Sequence, residues 1–223
     1  MIFLYLTKFY HYVTHFFSPP SCLYCHASLF KRQALCSSCT ATILPIVPFD
    51  FYIGTGRMVK IFAISAYKDP LRTLIVAKHY GKEAEIHLLA DFLSNQPLIN
   101  FLEYDIITYI PLHWTRYAVR GFNQAEIIAQ ALGKKMNTVV LPLLKRSKKT
   151  QYQARLSVKQ REQNVRNVFY CDQRYQQHIA GKKILIIDDL FTTGATIKAA
   201  ADILFVYKPL QIDSFVACRV ISQ

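Results

Sequence analysis

A chain of 223 residues suits one medium-sized domain with room for a small appendage. Its 52% hydrophobic and 18% charged residues support a packed core and exclude an intrinsically disordered protein. Lys and Arg number 27 against 14 Asp and Glu, a net charge of +13, which favours polyanions or phosphorylated ligands without separating nucleic acid from a membrane surface.

The first segment, 1–17, places Ile2, Leu6, Phe9, Val13 and Phe16 at alternating steps of four and three, one apolar stripe of a helix. It lacks the basic start and cleavage site of a signal peptide. Lys8, His11 and His15 interrupt a run already too short to span a bilayer. The expectation is an amphipathic helix docked on the body of a soluble, cytoplasmic protein, with peripheral membrane contact as the competing reading.

Pro19-Pro20 ends that helix, and two C-x-x-C knuckles follow, Cys22/Cys25 and Cys36/Cys39, ten residues apart. Four thiolates so spaced can surround one Zn2+ tetrahedrally, so 18–45 is expected to be a zinc ribbon. With every position filled by cysteine no site is open to water, and the metal is structural. Paired disulfides are disfavoured in a cytoplasmic chain, and neither knuckle has the βαβ context of a redox motif. Cys218 lies in a hydrophobic strand and belongs to the core.

Residues 40–60 mix Pro45, Pro48, Gly54 and Gly56 with aromatics, a connector to a main domain over 55–223. Ile61–Tyr67 reads as a strand. Asp69-Pro70 opens a helix as cap and first residue, with Leu71, Leu74, Ile75 and Ala77 inward. The helix ends near Lys78 and Gly81; Lys78 serves as an ordinary C-terminal charge or as a phosphate contact. A second helix covers about 84–93, Pro97 marks a loop, and 105–110 is the next strand.

After that strand comes Pro111-Leu112-His113, then Arg120-Gly121-Phe122-Asn123-Gln124-Ala125-Glu126 entering a helix that runs to about Leu132. Arg116, Arg120 and Asn123 fall at a strand-to-helix turn, where they meet a diphosphate or nucleic-acid backbone, or simply cap the helix. Residues 145–166 carry eight basic side chains against one acid, Glu162, with Tyr152 and several amides interleaved. Lys148, Lys149, Arg155 and Arg161 in this run suit single-stranded nucleic acid, and a solvated basic face is the plainer account.

The strand Ile184–Ile187 is aliphatic throughout, as in a parallel sheet buried on both faces. Asp188 and Asp189 stand at its end, and Thr192-Thr193-Gly194-Ala195-Thr196 opens a helix. Backbone N–H groups at a helix start, three hydroxyls and a small-residue turn make an anion cradle. The two carboxylates can accept from the vicinal hydroxyls of a ribose. A Walker B reading fails, because no G-x-x-x-x-G-K-[ST] exists in the chain. An ordinary strand–turn–helix with Asp as cap is the structural alternative.

Aliphatic residues, Asp-Asp, two variable positions and Thr-Thr-Gly-Ala-Thr resemble the phosphoribosyl-diphosphate (PRPP) motif of type I phosphoribosyltransferases. That resemblance implies that Asp188 and Asp189 hold the ribose hydroxyls and the Thr192–Thr196 loop the 5′-phosphate. Pro111-Leu112-His113, the Arg120–Glu126 stretch and the cysteine knuckles together resemble the ComF family of competence-associated proteins, over nearly the whole chain. Tyr109 departs from the family, which often has proline there. The resemblance implies an α/β fold, a type I phosphoribosyltransferase-like, mostly parallel sheet of about five strands flanked by helices, with the ribbon at one end. It further implies single-stranded DNA handling in natural transformation, beside a DNA-translocating competence helicase. The second reading is an active phosphoribosyltransferase, with Mg2+ bridging the diphosphate of PRPP and an amine or base as acceptor. No residue constellation marks an acceptor pocket or an amidotransferase half, so no catalytic residue is assigned.

Overall fold

A computed structural model describes residues 19–54, 56–76, 83–112, 114–146 and 168–221. The expected helix over 1–17 lies outside the described residues.

The chain builds α1 (Ser37–Ala41), β1 (Phe49–Tyr52), β2 (Met58–Ala66), α2 (Leu71–Val76), α3 (Glu83–Ser94), β3 (Ile106–Tyr109), α4 (Trp114–Arg120) and α5 (Gln124–Met136). β4 (Val139–Val140), β5 (Leu144–Arg146), β6 (Phe169–Cys171), β7 (Lys183–Phe191), α6 (Ala195–Phe205) and β8 (Gln211–Arg219) complete it, with 3-10 turns at Pro97–Phe101 and Gln173–His178. Six strands form one sheet in the order β1-β2-β8-β7-β3-β4, parallel except for β1. β5 and β6 make a separate antiparallel ribbon. This is a mostly parallel α/β sheet flanked by helices.

The sheet is sandwiched because its central strands are apolar on both faces. On one side Leu185, Ile187 and Phe215 pack with Leu71, Leu74, Leu89, Leu93, Ile128 and Leu132 of α2, α3 and α5. Cys22, Ala34, Leu35 and Cys39 join that same core, so the cysteine segment is seated on the body. On the other side Ile184, Ile186 and Val216 pack with Ile197, Ala200, Ala201 and Leu204 of α6 and with Leu144 and Phe169 of the ribbon.

Local expectations shift in three places. Residues 49–52 and 58–61 pair as a hairpin, so the sheet begins inside the stretch taken as a connector and before residue 55. The helix after Asp69-Pro70 starts at Leu71; Asp69 still caps it, accepting from Thr73 N at 3.2 Å and from the Thr73 hydroxyl at 2.7 Å. β7 continues through the acid pair to Phe191, because β8 runs alongside it as far as Phe191↔Arg219. The two carboxylates therefore sit within the strand, past the point where β3 leaves it at Tyr109↔Ile187.

A buried carboxylate ties the amino end of the sheet together. Asp213 accepts from Lys60 N at 3.0 Å, from the Tyr104 hydroxyl at 2.6 Å and from the Gln211 amide. Burial first, and then the Asp213 acceptor, raise the Tyr104 phenol above its ordinary range.

Candidate functional site

The connections decide where a ligand can enter. After β3 the chain crosses through α5 on one face, and after β7 it crosses through α6 on the other. Adjacent parallel strands whose helices leave to opposite faces open a crevice at their carboxyl ends. Asp188, Asp189 and the 192–196 loop stand at the β7 side of that crevice, and residues 110–112 and 114–120 at the β3 side.

Leu185 and Ile187 pack on the α5 side and Ile184 and Ile186 on the α6 side; past the acids Leu190 joins the α5-side cluster and Phe191 the α6-side one. The register with β8 is unbroken across the pair, from Asp188↔Val216 to Leu190↔Cys218. Both acids are half-buried, and Asp188 Oδ1 accepts from Asp189 N at 2.9 Å. Burial, with the Asp189 charge added, pushes the neighbouring Cys218 thiol up to about 12, which makes it an inert core sulfur.

Thr192, Thr193 and Thr196 are exposed around the first turn of α6. Thr193 Oγ1 accepts from Ala195 N at 3.4 Å. Gly194 has a different task from the one its sequence context suggests. It is buried at φ +78°, and a Cβ there would fall 2.4 Å from Phe51 Cζ and 2.8 Å from Phe191 Cζ. The glycine is required by two aromatic rings as well as by the turn. Gly194→Ala combines left-handed strain with overpacking, about 2–4 kcal/mol together. The expected result is a melting temperature lower by roughly 5–15 °C in a thermal scan; an unchanged value would remove the rings from this account.

Those rings belong to a cluster that sequence reading missed. Phe49 and Phe51 each meet Phe191 edge-on at 5.3 Å, and the Arg219 guanidinium lies 3.5 Å from the Phe49 ring centroid. Arg219 ends β8 opposite Phe191, one strand from the root of the threonine loop. Only the cross-strand register puts it there, so no local signal could have revealed it.

On the β3 side, Asn123 is 6% exposed, accepts from Ala125 N at 3.1 Å and donates to Ile110 O at 3.0 Å. Its amide caps α5 and holds the end of β3. Tyr109, at the position where proline is frequent, donates to Glu126 at 2.8 Å and fastens the same strand end to α5. Gln124 is also 6% exposed, and its Oε1 has no partner among the described residues. Arg120 is half-buried and engaged within the chain. Arg116 lies in α4, and its side chain is outside the described set, as are Lys78, Lys148, Lys149, Arg155 and Arg161. α4 itself is solvent-facing, with Val119 84% exposed.

The cysteines come together as their spacing requires. Every Sγ of Cys22, Cys25, Cys36 and Cys39 lies within 4.8 Å of the others, and Cys25 and Cys36 are 3.7 Å apart. A tetrahedron of metal–sulfur bonds near 2.3 Å has edges of about 3.8 Å, so the donor set fits a thiolate-seeking ion. Backbone N–H groups prepare the charge: Cys36 N donates to Cys22 Sγ and Cys39 N to Cys36 Sγ, both at 3.4 Å. Burial works against ionising Cys22, yet the N–H groups of Cys25, Cys36 and Tyr24 outweigh it and bring its thiol to about 6. Burial and the neighbouring sulfurs push Cys39 the other way, since adjacent thiolates repel without a cation between them.

A second charged centre stands apart from the crevice. Asp172 caps the 3-10 turn, accepts from Arg174 N at 3.1 Å, pairs with Arg174 Nη2 at 2.7 Å and with Lys145 Nζ at 3.0 Å. Arg174 first, and then Lys145, hold its carboxyl well below the usual carboxylate range. A carboxyl depressed by folding contributes stability above its unfolded value near 4, and that contribution is lost as pH falls through the folded value. The melting-temperature gap between the native chain and Asp172→Asn is therefore expected to be wide at pH 7 and to narrow progressively as pH falls below about 4. A constant gap would mean that packing, not charge, sets the effect.

The phosphoribosyl transferase domain family matches residues 118–223. The "DNA utilization protein YhgH" of Escherichia coli (strain K12) is 25% identical over 214 residues, 90% of each chain. "Competence protein F" of Haemophilus influenzae is 26% identical over 207 residues, 82% of this chain and 90% of that one. "Competence protein ComFC" of Bacillus subtilis is 28% identical over 160 residues, 70% of this chain and 63% of that one. No helix among the described residues is long and apolar enough to cross a membrane. With its cysteine cluster beside a phosphoribosyl transferase domain match, the chain is similar over most of its length to proteins named for competence and DNA utilization.

Proposed function

We propose that this protein handles single-stranded DNA during natural transformation and carries a PRPP-type sugar-phosphate site in the β3/β7 crevice. The observation that carries the reading is the acid pair and the threonine-rich helix start placed together at the switch point of the sheet. In this reading Asp188 and Asp189 accept from the ribose 2′- and 3′-hydroxyls, and the first turn of α6 with Thr192, Thr193 and Thr196 receives the 5′-phosphate. Mg2+ accompanies the diphosphate, as polyphosphates require charge compensation. Cys22, Cys25, Cys36 and Cys39 hold a structural Zn2+ in a ribbon over 18–45, ahead of the main domain. The competence and DNA-utilization names of the relatives support the DNA role; a DNA-translocating helicase as partner and the cytoplasm as the site of action complete the proposal.

The second reading, turnover of PRPP on an amine or base, is favoured by the match to the transferase domain family. Titration calorimetry with PRPP and Mg2+ tests the shared premise. Heat with the native chain and none with the Asp188→Asn/Asp189→Asn double variant supports the site; silence from both overturns it. Diphosphate release in the presence of candidate acceptors then separates binding from turnover.

A further inference from the structure

We propose that the exposed face of the β5–β6 ribbon, with the cleft beside it, is the surface on which a single strand of nucleic acid docks. This deepens and rests on the single-strand reading given above. The antiparallel register sets Lys145 directly opposite Tyr170, while Leu144, Cys171 and Phe169 turn into the core. The ribbon is amphipathic, and its outer face presents a cation beside an aromatic ring. Tyr170 is 50% exposed. Between this face and the C-terminal half of α6 lies an open cleft of about 610 Å3, lined among others by Gln173, Gln176 and Tyr207.

Asp172 is what makes the face a built site. Its carboxylate is 4% exposed and grips both Arg174 and Lys145, whose own side chains remain 66% and 46% exposed. Two cations share one buried anion, leaving an excess positive charge fixed in place. Arg174 also meets the carboxylate through Nε at 3.2 Å, so its orientation is set before any ligand arrives. Single-strand binders combine an aromatic platform for a base with cations that follow the phosphates. Here Tyr170 is the platform, Lys145 and Arg174 are the cations, and the amides of Gln173 and Gln176 can give to or accept from a base edge.

The cleft is distinct from the sugar-phosphate crevice. It is lined by Ile203 and Val206 at the far end of α6, whose first turn carries the threonine loop. From Thr196 to Ile203 and Val206 the helix rises by about 10–15 Å.

Fluorescence anisotropy of a labelled 20-mer of deoxythymidine with the full chain tests this. Tyr170→Ala is expected to weaken binding about 5- to 100-fold, with Tyr170→Phe near the native affinity. Arg174→Gln is expected to flatten the dependence of log affinity on log salt by about 0.7, one phosphate contact on a single strand. Lys145→Gln repeats that test without breaking the bidentate Asp172–Arg174 pair, and melting temperatures show whether each variant is folded. Lys134→Gln, on the last turn of α5, serves as control and should bind as the native chain does. A 20-mer of uridine bound equally well supports a face that reads base and phosphate; weaker binding of it supports a preference for DNA on the same face. If the native chain binds the oligonucleotide and Tyr170→Ala, Arg174→Gln and Lys145→Gln all bind alike, the face is wrong while the single-strand reading stands. If the native chain binds neither oligonucleotide, both fall.

Discussion

Cys39→Ser is expected to strip the chain of its metal and to loosen the body on which the cysteine segment sits. Four sulfurs within 4.8 Å of one another, already accepting backbone N–H groups, form a site whose negative charge needs a cation. Structural zinc sites of this type contribute about 10–16 kcal/mol of apparent binding free energy, which is also folding free energy where the site does not pre-exist in the unfolded chain. Cys22, Leu35 and Cys39 share the core of α2, α3 and α5, so the loss does not stay local. Elemental analysis of the native chain should give about one zinc per chain, and that of Cys39→Ser well under half. Melting should fall by more than about 10 °C, and a chelator should do the same to the native protein. Native protein free of metal, melting at the same temperature as the variant, would remove the site.

Asp188→Asn and Asp189→Asn are each expected to weaken PRPP binding by one to two orders of magnitude, and the double variant to abolish measurable heat. A hydrogen bond to a charged acceptor contributes about 1.5–3 kcal/mol, a factor of roughly 10 to 150. The effect is on binding rather than folding, because both side chains are half-buried beyond the end of the β3–β7 pairing and asparagine keeps their shape. Melting temperatures within about 2 °C of the native value should accompany the loss. Ribose 5-phosphate, which lacks the diphosphate, should show the same sensitivity. Retained affinity in both single variants would sever the acid pair from the sugar.

Much of this protein is written locally. Four cysteines in two C-x-x-C knuckles converge because a chain of that length can close around one ion, and nothing distant is needed. The aliphatic run before Asp188, the threonines after it and the inward stripe of Leu71, Leu74 and Ile75 are equally local. They yield a buried strand, a helix start and an amphipathic helix from side-chain chemistry and period alone. The mostly parallel α/β class was what the family resemblance implied, and the doubly apolar strand before Asp188 agrees with it. Tertiary structure decided what depends on register between remote segments. β8 extends β7 past the acids, β1 brings Phe51 against Gly194, and Arg219 arrives on the ring of Phe49. Asn123 became a cap because the end of β3 lay within its reach. The Lys145–Tyr170 face exists only once two strands on either side of a long insertion pair. Strand pairing and helix crossing are set by packing across the whole core, and no window of sequence holds that information.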